Sequence, residues 1–240
     1  MSPCRAASGI YRQRPEGVVI NPSRDPVEGV LFDLDGTLLD TAPDMGGALN
    51  ELLVEQGLVA LPHATIRGHV SRGAGALVRL GFPGLEAAEQ ALRVERFLAL
   101  YRNRVALETR PFDEVLAVLD RLEERGLPWG IVTNKPTRLT EPLLMALGLA
   151  ARPRIVVCGD TLPERKPSPL PLLHAAGYLG VAPNRCIYVG DDVRDMQAAR
   201  AAGMLGVAAR FGYIDGVEKL DEWPADGWID SPLRVLEWLG

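Results

Sequence analysis

Asp33 and Asp35 stand two residues apart in the segment Asp33-Leu34-Asp35-Gly36-Thr37. Alternate residues of an extended chain point to the same side, which brings the two carboxylates within a few ångströms. Left alone, such a pair repels and one member keeps its proton; a divalent cation relieves the repulsion. Gly36 permits a tight turn that lets Asp35 approach whatever Asp33 holds. Three more polar clusters follow. Thr133-Asn134-Lys135-Pro136 offers a hydroxyl and backbone N–H groups just ahead of a helical stretch, a corner suited to oxyanions. Glu164-Arg165-Lys166-Pro167-Ser168-Pro169 sets a lysine before another helical stretch, where it could face a phosphate. Gly190-Asp191-Asp192-Val193-Arg194-Asp195 supplies acidic oxygens, hard ligands of the kind Mg²⁺ takes.

Each of these residues also has a plain structural reading. Asp-x-Asp-Gly is an ordinary turn sequence. Thr133 and Asn134 could cap the helix that begins near Pro136, and Asp192 and Asp195 could complement a helix dipole. Of the 26 basic residues only Lys135, Lys166 and Lys219 are lysines. Capping therefore leaves Lys135 and Lys166 unexplained in a chain that otherwise writes positive charge as arginine. Lys135 reads as a solvent-facing residue or one at the mouth of a site, and Lys219 as a solvated surface charge. His63, His69 and His174 lack partners at metal-ligand spacing. Cys158 and Cys186 fall in apolar segments and read as small core fillers.

The elements that must position these clusters are short apolar runs. Gly29–Asp33, Trp129–Thr133, Ile155–Gly159 and Cys186–Gly190 have the character of strands buried on both faces, with Gly206–Ala209 a weaker fifth. Helical stretches separate them at Asp113–Arg125, Thr137–Leu147, Pro169–Tyr178 and Val193–Ala202. This alternation predicts a doubly wound α/β fold with a parallel sheet, whose ligand sites lie at the carboxyl ends of the strands. The interval from Asp33 to Trp129 is too long for one crossover. Ala42–Gln56, Ala64–Leu80 and Glu86–Arg104 look helical, so residues 43–109 are expected to form a helical lobe inserted in a core made of residues 28–42 and 110–240. Residues 1–27, with four prolines and four arginines, read as a loose arm or a start placed too far upstream.

The 240 residues suit one domain with an insert, and 47% hydrophobic with 24% charged residues is an ordinary globular mix. A net charge of −5 gives no basic footprint for nucleic acid. No apolar run reaches the roughly 20 residues of a membrane span. Three scattered cysteines do not make a disulfide framework. The expectation is a cytoplasmic protein, monomeric or homodimeric, with a small-molecule partner.

Together the four clusters resemble the four motifs of the haloacid dehalogenase superfamily. Phe32-Asp33-Leu34-Asp35-Gly36-Thr37-Leu38 is similar to its first motif; Thr133, Lys166 and Gly190-Asp191-Asp192 are similar to the others. The likeness runs from about Val30 to the end of the chain, and the inserted lobe is similar to the superfamily's helical cap. Within it the chain looks most like phosphoglycolate phosphatases, through Leu38–Asp44, Val132–Pro136 and Arg165-Lys166-Pro167. It also resembles the related N-acetylmuramic acid 6-phosphate phosphatases, in Trp129-Gly130 and Phe211–Ile214.

The resemblance implies a Mg²⁺-dependent phosphomonoesterase for a small phosphorylated metabolite. Asp33 would be the nucleophile and Asp35 the general acid and base, its proton kept by crowded anionic surroundings. Mg²⁺ would sit on the Asp33 side chain, the Asp35 carbonyl and Asp191. Thr133, the Asn134 N–H and Lys166 would hold the phosphate oxygens, with Asp192 or Asp195 orienting Lys166 or a metal-bound water. Arg72, in the lobe's Ser71–Gly75 loop, would meet a substrate carboxylate. This scheme requires Asp33 and Asp191 to converge on one cation. A phospho-Asp receiver needs neither the insert nor Asp35, a dehalogenase needs neither Asp35 nor Asp191, and a sugar-phosphate mutase differs only in where it returns the phosphoryl group.

Overall fold

The computed structural model describes residues 26–214 and 219–239, so the expected arm lies, up to residue 25, outside the described residues. In chain order the elements are β1 (Gly29–Phe32), β2 (Leu39–Asp40), α1 (Ala42–Glu55), α2 (His63–Arg67), α3 (Ala74–Gly81), α4 (Ala87–Arg104), β3 (Arg110–Pro111) and α5 (Val115–Glu124). They continue with β4 (Trp129–Val132), α6 (Thr137–Ala146), β5 (Ile155–Val157), α7 (Leu170–Leu179), β6 (Cys186–Gly190), α8 (Val193–Ala202), β7 (Leu205–Ala209) and β8 (Gly227–Ile229).

Six strands pair in parallel in the order β5-β4-β1-β6-β7-β8. The central strands are apolar on both faces because both faces are covered. Val30, Phe32, Ile131, Ile187 and Val189 pack with Val118, Leu119 and Leu122 of α5 on one side. Leu31, Val132 and Tyr188 pack with Leu172 and Ala175 of α7 and Ala198 of α8 on the other. Burying one such large side chain contributes roughly 1.5–3 kcal/mol. Val27, the last residue of the arm drawn from sequence, joins the first of these cores.

Helices α1 to α4 surround a further apolar core that includes Leu49, Leu52, Ile66, Leu77, Phe97 and Tyr101, and Leu139 of α6 and Tyr213 join it from the sheet side. The helix expected over Ala64–Leu80 is in fact two, α2 and α3. Gly73 lies between them at φ +80°, a left-handed conformation that glycine adopts without penalty and that ends helical propagation. The resulting loop carries Ser71 and Arg72. The chain enters and leaves the lobe through the antiparallel pair β2 and β3, Leu39 opposite Pro111 and Asp40 opposite Arg110. Fully buried Asp44, in the first turn of α1, accepts from the returning chain: Glu108 N at 3.0 Å, Thr109 N at 2.9 Å and Thr109 Oγ1 at 2.7 Å.

Among the described residues no helix is long and apolar enough to cross a membrane.

Candidate active site

Strands β4, β1 and β6 are neighbours in the sheet, and register pairs Phe32 with both Ile131 and Val189. Parallel strands about 4.8 Å apart must then deliver the residues that follow them to one edge. Those residues are Thr133, Asp33 and Asp191, all buried. The backbone ladder runs on into the site, with Asp33 N donating to Val189 O and Thr133 N to Val157 O.

One carboxylate oxygen each from Asp33, Asp191 and Asp195 lies within 4.8 Å of the others. Asp191 accepts from Thr37 Oγ1 at 3.2 Å, Ser71 Oγ at 2.7 Å and Tyr213 N at 2.9 Å. Gly36, at φ +88°, passes so close to the Asp191 carboxylate that any side chain there would overlap it. Burial, with Asp33 and Asp195 alongside, pushes the Asp191 carboxyl well above the usual carboxylate range. Asp195 is pushed up to about 7, by burial first and by Asp33 and Asp192 in addition, against the pull of Lys166.

Lys166, buried at 3% exposure, is the cation among these acids. Its Nζ lies 2.6 Å from Asp195 Oδ1 and 2.9 Å from Asp33 Oδ1, and donates to the Tyr188 hydroxyl at 2.7 Å. Burial alone would lower its pKa; Asp195 and Asp33 outweigh burial and raise it. Tyr188 in turn donates to Val132 O at 2.8 Å. Asp33 Oδ1 is buried and has the Lys166 ammonium as its ion-pair partner.

Three buried carboxylates thus gather around one ammonium. A hard divalent cation fits this donor set. Asp195 gives one oxygen to Lys166 and the other to Asp192 N at 3.1 Å, whereas Asp191 accepts from the uncharged donors Thr37, Ser71 and Tyr213 N.

Asp192 acts on the helix terminus. It is the N-cap of α8, forms a reciprocal capping box with Asp195, and accepts from Arg194 N and Arg194 Nε. Burial would raise its pKa, but the Arg194 guanidinium beside it holds it low. Arg194 then reaches the lobe, donating to Ser71 O at 2.7 Å. Ser71 is therefore gripped from the core at its hydroxyl by Asp191 and at its carbonyl by Arg194.

Asn134 uses its side chain as a brace: Nδ2 donates to Lys166 O at 3.0 Å and Oδ1 accepts from Lys166 N at 3.1 Å. Thr133 Oγ1 accepts from Lys135 N at 3.2 Å.

Lys135 corrects the sequence reading. It is buried, not at the mouth, and its Nζ donates to Asp35 Oδ1 at 2.9 Å and to Tyr101 OH at 2.9 Å. Burial would depress this lysine; Asp35 and Tyr101 overcome that and raise it. The partner of Asp35 is thus a cation. Anionic crowding is not what surrounds it.

A cavity of about 440 Å³ lies between sheet edge and lobe. Asp33, Asp35, Thr133 and Asn134 line it from the core, and Arg72 and Arg79 from the lobe. Val70, Val94 and Leu98 add an apolar flank. Sequence reasoning missed Tyr101, Ser71 and Arg194 as site residues. A tyrosine at core spacing on a helix carries no mark of its hydroxyl's partner. Arg194 was visible only as a cation inside an acidic cluster.

The family of haloacid dehalogenase-like hydrolases matches residues 27–203 of this sequence. The chain belongs to the haloacid dehalogenase-like hydrolases. Among members similar to it is a phosphoglycolate phosphatase of Xanthomonas campestris pv. campestris, 48% identical over 208 residues that cover 87% of this chain and 94% of the relative. An N-acetylmuramic acid 6-phosphate phosphatase of Pseudomonas aeruginosa is 40% identical over 212 residues, 88% of this chain and 94% of that one. A solved structure from Haemophilus somnus 129pt, named as a predicted phosphoglycolate phosphatase, aligns with TM-score 0.78 at 27% identity over 88% of this chain and 97% of its own. Haloacid dehalogenase-like hydrolases thus share with this chain both its sequence and its parallel-sheet fold.

Proposed function

We propose that the protein is a Mg²⁺-dependent phosphomonoesterase that hydrolyses 2-phosphoglycolate to glycolate and phosphate in the cytoplasm. The observation that carries this reading is Asp33: a buried carboxylate 2.9 Å from Lys166 that lines the cavity. The relatives named for that activity support the substrate.

In this reading Asp33 attacks phosphorus in line, and the bond from phosphorus to the substrate oxygen breaks as an aspartyl-phosphate forms. Asp35 delivers a proton to the departing alkoxide. It then takes one from the water that attacks the aspartyl-phosphate, releasing phosphate and restoring Asp33. Lys166 and the Thr133 hydroxyl neutralise and orient the equatorial oxygens. Asp195 and Tyr188 fix where the Lys166 charge sits. Mg²⁺ bound by Asp33, Asp191 and the Asp35 carbonyl would supply further positive charge to a phosphate oxygen. Arg72 accepts the substrate carboxylate from the lobe side.

A second reading, N-acetylmuramic acid 6-phosphate as substrate, is favoured by the size of the cavity and by its apolar flank, more room and more hydrophobic surface than a two-carbon acid needs. The deciding experiment measures kcat/KM for both compounds side by side with Mg²⁺. Preference for 2-phosphoglycolate upholds the first reading, preference for the amino sugar installs the second, and turnover of neither removes both.

A further inference from the structure

Lys135 is fully engaged and has no task in the mechanism above. Its ammonium spans both oxygens of Asp35, at 2.9 and 3.2 Å, and reaches the Tyr101 hydroxyl at 2.9 Å. It also stands 4.6 Å from the centre of the Tyr101 ring. The three residues come from separate parts of the molecule. Asp35 follows β1, Lys135 lies between β4 and α6, and Tyr101 is on α4 of the inserted lobe. Tyr101 is itself fully buried and packed on Phe97, ring centroids 6.3 Å apart. The ammonium therefore meets a hydroxyl whose place is set by the lobe's own core.

A carboxylate on a two-bond side chain rotates freely unless both oxygens are held. A lysine alone is a flexible stem and holds poorly. Anchored at a second point, the ammonium becomes a fixed post. We propose that Lys135 is a positioning residue for Asp35, and that Tyr101 makes this positioning conditional on the helical lobe being seated on the sheet. With the lobe displaced, Lys135 loses its hydroxyl and ring contacts and Asp35 loses its fixed orientation. The acid and base would then be set for reaction only over an enclosed substrate, which keeps water out of the first step. This proposal rests on the phosphomonoesterase reading and goes further only in the duties of Lys135 and Tyr101.

The test compares leaving groups. An alkyl phosphate expels a strongly basic alkoxide and depends on the placed acid; p-nitrophenyl phosphate expels a stable phenolate and does not. The ratio kcat/KM reports events up to phosphoryl transfer to Asp33, so the later hydrolysis does not enter. For Lys135→Met we expect a fall of about 100-fold on the alkyl substrate and less than about threefold on p-nitrophenyl phosphate. Tyr101→Phe, which keeps the ring and the stack, should cause a smaller drop of the same kind. Its effect should vanish when Lys135 is already Met, since the two act through one post. Equal losses on both substrates would overturn the proposal in favour of a general structural or phosphate-binding role. So would full activity of either variant, or additive effects in the double variant. Should wild-type protein turn over neither substrate, the phosphomonoesterase reading itself fails, an outcome distinct from these.

Discussion

Asp195 lies 2.6 Å from Lys166, with both side chains almost wholly out of solvent. Removing one partner of such a pair leaves the other buried and uncompensated, at a cost of about 3–5 kcal/mol. Lys166 keeps Asp33 at 2.9 Å, so Asp195→Asn should lower the free energy of unfolding by less than that full cost, about 1–3 kcal/mol, as read by urea titration. It should also lower kcat about tenfold or more, because Lys166 loses the group that fixes it. Unchanged stability would show that the pair is not formed in solution.

Asp33→Asn removes the charge that faces Lys166 while keeping the shape of the side chain. Turnover should drop by about 1,000-fold or more, as losses of nucleophiles do. Rapid acid quench with labelled substrate should trap a phosphorylated protein from the wild type and none from the variant. A labelled variant would place the nucleophile elsewhere.

Chelation should abolish turnover, and the metal alone should stabilise the fold. A ligand that binds only the native state adds about 2.7 kcal/mol at a hundred times its dissociation constant. Mg²⁺ should raise the melting temperature of the wild type, and Asp191→Asn should remove that rise. An equal rise in the variant would take Asp191 out of the metal site.

Arg72 borders the cavity from the exposed side of the lobe. Charge-assisted hydrogen bonds contribute about 1.5–3 kcal/mol. Arg72→Ala should raise KM for carboxylated phosphomonoesters by about tenfold or more and leave uncarboxylated ones nearly unchanged. An equal change for both kinds would dismiss the carboxylate contact.

Asp160 caps α6 from across a loop, accepting from Thr137 N at 2.8 Å and Thr137 Oγ1 at 2.6 Å. Those bonds hold its carboxyl below the usual carboxylate range. A group lowered in the folded state stabilises above its unfolded pKa, near 4, and loses that contribution as pH falls through the folded value. Asp160→Ala should therefore cost about 1 kcal/mol near neutral pH. The difference from wild type should shrink progressively once the pH drops below about 4. A difference independent of pH would mean that the charge is not what caps the helix.

Much of the fold was legible because strands buried on both faces are written as unbroken apolar runs, and β1, β4 and β6 lie where such runs occur. The convergence of Asp33 with Asp191 followed from the strands that carry them. Strand β8 escaped notice because Gly227–Ile229 sits between Asp226 and Asp230 and forms no apolar run like that of β5. The break between α2 and α3 escaped because glycine is tolerated inside helical patterns, and only the left-handed turn at Gly73 shows that it ends one. The Lys135 post was hidden for a different reason. Its burial depends on Tyr101 arriving from a lobe whose placement no local pattern encodes. Asp192 read equally well as cap or as site residue, and its bonds go to the start of α8 and to Arg194.

Asp44 has a consequence for the lobe as a whole. One carboxylate fastens the outgoing and returning strands together at the neck of the lobe. The sheet below consequently sees two adjacent chain ends, whatever is attached beyond them. A replacement set of helices grafted on this neck would keep the two ends in place but would have to bring its own counterparts of Tyr101 and Ser71, because those two side chains reach down to Lys135 and Asp191.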